Sequence, residues 1–316
     1  MLSRAGLAEP YNSRGLRAGP ARDPGGSGRP VAQGPLAGHP APALGWRRGD
    51  IDAGPAAGPL GWELGIVLAL SYGASGITAI VAIIDRVTRE TALAEQTATL
   101  NRSLAERPVF DLVYQLLSFA FGLAPVALVV YLLWRRGRPH LWRLGLSPRP
   151  GASPRWWLGE CGGGLLLAAA IGLPGLAFYL FGRVIGINVA VVPTALDAYW
   201  WTVPVLILSA LRAALGEELI VVVYVFDRLR RIGLGPWTVT LLSALLRGSY
   251  HLYQGFGGFI GNVVMGVVFG WAYRRWGRSL PLIVAHWVLD IVSFVGYPLA
   301  VALWPSLFPA PGGSAS

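Results

Sequence analysis

Ionisable side chains inside otherwise apolar stretches are the residues of this chain whose types and spacing could do chemistry. A charged side chain at the centre of a bilayer costs about 2.5–3.5 kcal/mol on insertion scales, so such residues usually serve a function. Seven lie within apolar runs in the second half of the chain: Arg212, Glu217, Glu218, Arg247, His251, His286 and Asp290. We predict that Glu217, Glu218, His251 and His286 form a single polar site inside the membrane.

Helical spacing allows several of these side chains to meet. His286 and Asp290 are four residues apart, so they share one face of a helix. Arg247 and His251 have the same spacing and are expected to share a face of another helix.

The adjacent acids need a partner. On a helix, Glu217 and Glu218 point about 100° apart, so one can face a cavity while the other turns toward a neighbouring helix. Two carboxylates this close do not both ionise cheaply without a cation. We therefore expect one protonated carboxyl group, or an ion pair with Arg247 or Arg212.

Three kinds of chemistry suit these residues. A carboxylate beside an imidazole can take a proton from a trapped water molecule, which then attacks a peptide carbonyl, and donors from another helix can stabilise the oxyanion. Glu217 or Glu218, His251 and His286 could fill these roles. The same set could instead bind zinc, because two histidines and a carboxylate match a catalytic zinc site with one open position, or it could relay protons in a transporter. The residues alone leave hydrolysis, transport and purely structural pairing open.

The composition predicts that the elements carrying these residues cross a membrane. Of 316 residues, 54% are hydrophobic and only 13% are charged, whereas soluble domains carry about 25% charged residues. The 26 basic residues are all arginines, and they lie in short clusters between apolar runs rather than in a basic groove with interleaved aromatics, so nucleic acid is not an expected partner. Cys161 is the only cysteine, which excludes a disulfide framework.

We predict an all-α, polytopic membrane helix bundle with about seven transmembrane helices, since a spanning helix needs roughly 20 apolar residues. The predicted spans cover about 64–84, 110–134, 157–181, 199–226, 236–253, 256–273 and 280–304. The fourth span is long enough to be tilted, or broken near Gly216. In the sixth, glycines at small-xxx-small spacing should let a neighbouring helix approach closely. They are Gly257, Gly261, Gly266 and Gly270.

The arginines predict an orientation. Clusters of arginines follow the second, fourth and sixth spans, whereas 85–109 has four arginines against four acids and 182–198 has one against one. By the positive-inside rule, the arginine-rich connections face the cytoplasm. We therefore expect a multi-pass protein of the cell membrane, with its N-terminus in the cytoplasm and its C-terminus outside.

The chain divides into four parts. Residues 1–58 form a Pro/Gly/Arg-rich tail, expected to be disordered and cytoplasmic because it cannot bury enough apolar surface. Residues 59–197 form the N-terminal transmembrane helices with external and basic cytoplasmic loops, 198–304 carry the candidate site, and 305–316 are a short polar tail. The connection 85–107 is read as either an external helix or a solvated connector.

Three motifs in order resemble a known family. They are Gly-Glu-Glu-Leu-Ile-Val-Val-Val-Tyr at 216–224, Arg-Gly-Ser-Tyr-His-Leu-Tyr-Gln-Gly at 247–255 and His-Trp-Val-Leu-Asp at 286–290. This pattern resembles the CAAX prenyl protease type 2 and bacteriocin-processing (CPBP, Abi-like) family of intramembrane proteases. The family shows a Glu-Glu pair, a histidine on a following helix, and a histidine with Asn or Asp four residues later. The resemblance makes 198–304 a CPBP-like catalytic core and does not extend to the first half of the chain.

The resemblance implies a role for each site residue. Glu217 and His251 would activate the water, Glu218 would support the site, and His286 with the residue at 290 would stabilise the oxyanion. Some family members are called metalloproteases, but the glutamate–histidine mechanism needs no ion, and the metal-free form is favoured here.

The sequence departs from the family pattern at several positions. Val222 and Val223 replace the usual arginine and glycine, and Arg247 replaces the usual phenylalanine. We hypothesise that the cation has moved to another helix, so that Arg247 neutralises Glu218. Asp290 stands where asparagine is common; an ionised aspartate cannot donate to an oxyanion, so it is expected to orient His286.

Other polar residues in these spans have plainer interpretations. Arg212 is interpreted as a structural or interfacial charge. Tyr250, Tyr253 and Trp287 are interpreted as packing aromatics or as aromatics of the membrane interface.

The sequence therefore predicts an intramembrane endopeptidase that hydrolyses a peptide bond near the membrane by Glu/His-activated water. The alternative is a non-catalytic family relative, or a small-solute or proton transporter that uses the buried acid pair. The expected partners are the lipid bilayer and a peptide or membrane-protein substrate. No cofactor is expected; the other possibility is a divalent metal such as zinc at Glu217, His251 and His286.

Overall fold

The structure is a computed structural model that describes residues 57–133, 141–148 and 153–303. The predicted tails lie outside the described residues, except for the last two positions of the first one. Part of the arginine-rich connection after the second predicted span also lies outside them.

The described chain is mostly helical with very little strand, which confirms the predicted all-α membrane bundle. The helices are α1 (Ala57–Ala69), α2 (Tyr72–Val87), α3 (Pro108–Gly122), α4 (Ala124–Leu132), α5 (Arg155–Val184), α6 (Thr202–Gly216), α7 (Val225–Arg231), α8 (Pro236–Ser249), α9 (Phe256–Trp276), α10 (Leu280–Ile291) and α11 (Tyr297–Leu303). Two π-helical segments, π1 (Glu217–Tyr224) and π2 (Val292–Gly296), and two short 3₁₀ turns, Leu93–Glu95 and Leu252–Gln254, complete the helical elements. The strands are β1 (Thr97–Asn101) and β2 (Ala190–Thr194).

Four helical stretches of the described chain are long and apolar enough to cross a membrane. They are Pro108–Leu132, Arg155–Val184, Phe256–Trp276 and Leu280–Leu303. A fifth forms if α1 and α2, which are bent by 55° at a short break, make one broken span. The predicted spans at 199–226 and 236–253 are largely helical but are not among these four. α8 has only 14 residues, and the helix from α6 to α7 contains the acid pair.

The predicted fourth span does not break at Gly216. Instead α6 continues without interruption into π1 and then into α7, so one long helix carries both acids. Wide π-turns of this kind are rare and often occur at functional sites. All eight residues of π1 are buried, and they lie at the centre of the apolar core.

The connection 85–107 differs from our expectation. α2 ends at Val87, and Thr97–Asn101 forms a strand that pairs in parallel with β2, with Thr97 opposite Ala190. The prediction of an external helix was wrong because strand pairing depends on a distant partner, whereas helix propensity reports only local preference. The two-stranded ribbon places the connections that follow α2 and α5 side by side at one end of the bundle.

A glycine joins the loop after α8 to this ribbon end. Gly255 has a φ of +103° and forms an isolated bridge with Asn188. A Cβ at Gly255 would lie 2.5 Å from the carbonyl oxygen of Ile187, so both the backbone angle and the close approach require glycine. The start of α9 is thereby fixed beside β2.

Ion pairs hold the opposite end of the bundle. Arg228, at the end of the helix that carries the acids, lies 2.7 Å from Glu63 of α1 and is paired with Asp227. Arg278, before α10, pairs with the buried Glu160 of α5. These contacts fix the ends of the helices whose middles form the site.

Glycines let α9 pack tightly on α8, as their spacing predicts. A Cβ at Gly266 would lie 2.8 Å from the Cα of Ala244, and one at Gly270 would lie 2.8 Å from the ring of Phe226. At Gly261 the nearest atom would be 3.7 Å away, in the ring of Phe178. Close approach of the neighbouring helices is therefore found in the second half of α9, whereas at Gly257 the close neighbour is the side chain of Asn188.

This difference predicts that Gly266→Ala destabilises the protein relative to Gly261→Ala. Both changes gain the same helix propensity, but only the first forces a methyl group against backbone, and overpacking of this kind costs about 1–3 kcal/mol. The comparison of apparent unfolding temperatures in detergent tests it. Equal unfolding temperatures for the two variants would contradict the packing described here.

Candidate active site

The candidate site lies where the π1, α8 and α10 segments meet. π1 supplies Glu217 and Glu218, α8 supplies Arg247, and α10 supplies His286 and Asp290. His251 lies just after α8, in the turn that leads to α9. The structure therefore brings together the three chain segments that carry the motifs.

Glu218 is the fully buried member of the acid pair. Its Oε1 accepts a hydrogen bond of 2.6 Å from Nη2 of Arg247 and lies 2.8 Å from Nδ1 of His286. Glu218 and Arg247 are both completely inaccessible to solvent. One carboxylate oxygen thus joins three helical segments.

Glu217 faces a different set of groups. Its Oε2 accepts a hydrogen bond of 2.8 Å from the hydroxyl group of Tyr250 and lies 3.5 Å from Nη1 of Arg247. Glu217 retains 6% exposure, whereas Glu218 has none. Of the two acids, Glu217 is therefore the one that a substrate or water molecule can reach.

His251 is near enough to Glu217 to interact with it electrostatically, without a direct hydrogen bond between the two side chains. Its ring centroid is 4.8 Å from that of Tyr250, whose hydroxyl group binds Glu217. Nδ1 of His251 is buried and has no protein partner in the described part of the chain. A water molecule between the two side chains would satisfy both groups.

His286 is held between two carboxylates. Nδ1 lies 2.8 Å from Glu218 and Nε2 lies 3.5 Å from Oδ2 of Asp290. The first is a normal hydrogen bond, whereas the second is too long to be a strong one. Nε2 is therefore the nitrogen that can turn toward a substrate, with Asp290 at its side.

The structure does not favour a metal at this position. No group of three His, Cys, Asp or Glu side chains in the described residues is arranged to hold an ion. The guanidinium group of Arg247 contacts both Glu217 and Glu218, so a cationic side chain already occupies the position next to the acid pair. A metal ion bound there would be repelled by it.

Two tyrosines that the motifs did not assign to the candidate site contribute side-chain contacts to it. We interpreted Tyr250 as a packing aromatic, but its hydroxyl group binds Glu217. Tyr72, from the first half of the chain, packs its ring on Tyr250 with the centroids 4.8 Å apart. Its hydroxyl group lies directly against Gly216, where a side chain would collide with it.

Only a weak signal in the sequence marks Tyr72. The residues Ser71, Tyr72 and Gly73 interrupt an apolar run, and this is where α1 and α2 bend. Ser71 and Gly73 favour a break in the helix, but nothing local indicates that the tyrosine turns toward a site about 145 residues away in sequence.

Arg212 does not join the acid pair. Its aliphatic stem lies against Gly122 at the end of α3, where a Cβ would come within 2.5 Å of Cδ. Tyr253 accepts a hydrogen bond from the side chain of Gln254, and Trp287 donates one to the carbonyl oxygen of Ile207. These three residues border the site without contacting the acids.

Comparison with known families agrees with the resemblance seen in the motifs. Residues 199–292 match the family described as type II CAAX prenyl endopeptidase, Rce1-like. The match covers α6 to α10 and includes every candidate site residue apart from the tyrosine supplied by α2. No curated protein and no solved structure matches the chain.

The buried Arg247–Glu218 contact predicts that Arg247→Phe strongly destabilises the protein. Removal of one partner of a buried ion pair leaves the other charge uncompensated and costs about 3–5 kcal/mol. If the cation has moved from position 222 to 247, Val222→Arg in the Arg247→Phe background should restore much of the loss. Apparent unfolding temperatures of the single and double variants in detergent measure this.

Glu218→Gln in the same Arg247→Phe background provides the control. It should also recover stability, since it removes the uncompensated charge itself. Recovery with Glu218→Gln but none with Val222→Arg would reject the idea of a relocated cation while keeping the ion pair.

Proposed function

We propose that this protein is an intramembrane endopeptidase that hydrolyses a peptide bond near the membrane by a water molecule activated between Glu217 and His251. The observation that carries the proposal is the pair of side chains itself. Glu217 is the accessible acid of the pair, and His251, which interacts with it electrostatically, has a ring nitrogen without a partner among the described residues. The match of 199–292 to a protease family supports this chemistry.

Glu217 is proposed as the general base. Its Oε2 is fixed by the hydroxyl group of Tyr250 and faces Arg247, so the carboxylate has a set direction. A base must lie within hydrogen-bond reach of the proton that it takes, directly or through one water. In the proposed arrangement, a water molecule between Glu217 and His251 donates one proton to the carboxylate while His251 orients it.

His286 is proposed to stabilise the oxyanion through Nε2. For both ring nitrogens to donate, the imidazole must carry both protons, and the carboxylates of Glu218 and Asp290 lie on its two sides. Glu218 fixes the ring through Nδ1. Asp290, at 3.5 Å from Nε2, is proposed to guide the ring rather than to donate.

The remaining charges are proposed to keep this arrangement in place. Glu218 is proposed to position Arg247 and His286 rather than to react, because both of its neighbours bind the same oxygen. Arg247 in turn is proposed to offset the charge of Glu217 and Glu218. Preorganised charges of this type act strongly where water is excluded.

The proposal predicts that Glu217→Gln and His251→Ala each abolish hydrolysis while the protein stays folded. Loss of a general base or its partner lowers rates by about 10²–10⁴. Purified variants in detergent would be compared with wild type on a library of membrane peptides, with cleavage detected by mass spectrometry. Glu95→Gln, an isosteric change in the exposed connection before β1, serves as the matched control.

Cleavage by wild type that survives both Glu217→Gln and His251→Ala would refute the mechanism. An absence of cleavage with every variant, including wild type, would favour a non-catalytic relative or a transporter that uses the acid pair.

The site also predicts that Tyr250→Phe lowers kcat by about tenfold or more without unfolding the protein. A hydrogen bond to a charged group contributes about 1.5–3 kcal/mol, and here it directs Glu217. Tyr253→Phe is the matched control, since its hydroxyl group binds Gln254 and not the acids. Equal kcat values for the two phenylalanine variants would show that the Tyr250 hydroxyl group does not position the base.

A further inference from the structure

A polar cleft lies between α3 and α6, below the two-stranded ribbon. Its volume is about 120 Å³, well above the roughly 10–15 Å³ that one water molecule needs. The ribbon end contributes Leu100, Asn101, Arg102 and Leu104; α3 contributes Gln115, Leu116, Ser118 and Phe119; α6 contributes Val205, Leu208, Ser209 and Arg212. The cleft begins at the exposed Arg102 and runs along α6 toward π1.

Polar side chains follow one another along the cleft. Ser209 donates a hydrogen bond of 2.9 Å to the side chain of Asn101, and Gln115 donates one of 3.0 Å to the carbonyl oxygen of Arg102. Ser209 and Arg212 are three residues apart on α6, so they share one face of the helix. The cleft therefore has polar side chains along one side, next to apolar neighbours such as Leu208.

Arg212 is the cation at the deep end of the cleft. Among the described residues it has no hydrogen bond and no ion pair, although it lies on an otherwise apolar helix. A cation inside a membrane bundle faces a partner or a water-filled cavity because burial in hydrocarbon is costly. No carboxylate lines the cleft, so water is the group on hand to solvate the guanidinium.

Tyr72 interacts with groups at both this deep end and the proposed base. Arg212 lies close enough to interact electrostatically with Tyr72. The hydroxyl group of Tyr72 in turn lies against Gly216, the residue before Glu217. The deep end of the cleft and the acid pair are therefore both within electrostatic range of Tyr72.

We propose that this cleft is filled with water from the ribbon end and supplies the water molecules that Glu217 activates. Hydrolysis of one peptide bond consumes one water, whose oxygen joins the new carboxyl group and whose protons pass to the new carboxyl and amino groups. A site enclosed by lipid-facing helices needs a polar route for that water. Arg212 holds the water column at its inner end, and Tyr72 is the last side chain before the acids. This supply role rests on the proposed hydrolysis, whereas the hydration of the cleft does not.

Cysteine labelling tests the hydration directly. The Cys161→Ser background has no other thiol, since the chain has a single cysteine. Only an ionised thiol reacts readily, and a thiol in hydrocarbon does not ionise. In sealed vesicles, Ser209→Cys should react with a membrane-impermeant methanethiosulfonate from the side on which Glu90→Cys, in the connection after α2, also reacts.

Leu117→Cys is the matched control, because Leu117 is 42% exposed, adjoins the cleft residue Ser118 on α3 and faces away from the cleft. We expect Ser209→Cys to react at least tenfold faster than Leu117→Cys. Equal rates at the two positions, or reaction of Ser209→Cys only from the other side, would overturn the hydrated cleft. This readout needs no enzymatic activity.

Activity of the labelled proteins tests the supply role. A charged adduct on Ser209→Cys should lower kcat about tenfold, and reduction of the mixed disulfide should restore it, while the adduct on Leu117→Cys should have no effect. Labelling of Ser209→Cys without loss of kcat would overturn the supply role. If wild type cleaves no peptide, the supply role falls together with the proposed function, whereas the labelling rates still decide whether the cleft holds water.

Discussion

The buried contact between Glu218 and Arg247 is the constraint on which the site depends. It joins π1 to α8 inside the bundle, and the same carboxylate oxygen receives Nδ1 of His286 from α10. Three separate segments are thus oriented by one atom. Desolvation of both charges is costly, so a wholly inaccessible ion pair needs close contacts to be tolerated. Glu218 Oε2 and Arg247 Nε and Nη1 have no hydrogen-bond partner among the described residues, so the pair depends on its close contacts and on its position between helices. The packing around it is tight, with Gly266 on the α9 surface next to the Arg247 side chain.

In the proposed mechanism Glu218 holds the helices and Glu217 is left for chemistry. Two adjacent acids with the same side chain acquire different surroundings because the helix turns between them. Glu217 meets Tyr250 and retains some access, whereas Glu218 meets Arg247 and has none. The π-helical turn begins at these two residues, which changes the direction in which they point relative to a regular helix. The division of roles within the pair therefore follows from backbone geometry and not from residue type.

The sequence was sufficient to predict most of the residues that the structure gathers at the candidate site, but not all of them. Glu217, Glu218, His251 and His286 could be recognised because ionisable residues in apolar runs are expensive, and because four-residue spacing places Arg247 near His251 and Asp290 near His286. These are local signals. Tyr72 gave no comparable signal, since an aromatic residue in an apolar run is ordinary, and its contact with Gly216 depends on the bend between α1 and α2. The ribbon was missed for the same reason: Thr97–Asn101 becomes a strand only because Ala190–Thr194 lies beside it.

The parts that sequence patterns missed lie on the first half of the chain, outside the residues that match the protease family. α1 and α2 deliver Tyr72 to Gly216, and the ribbon and α3 form the outer part of the polar cleft. The matched residues 199–292 carry the acids and imidazoles, but they do not by themselves enclose the cleft or cover the acids. A reaction inside a membrane needs both a dry environment that strengthens charges and a limited entry for water. In the proposed mechanism the C-terminal helices supply the charges, and the N-terminal helices and the ribbon decide how much water reaches them.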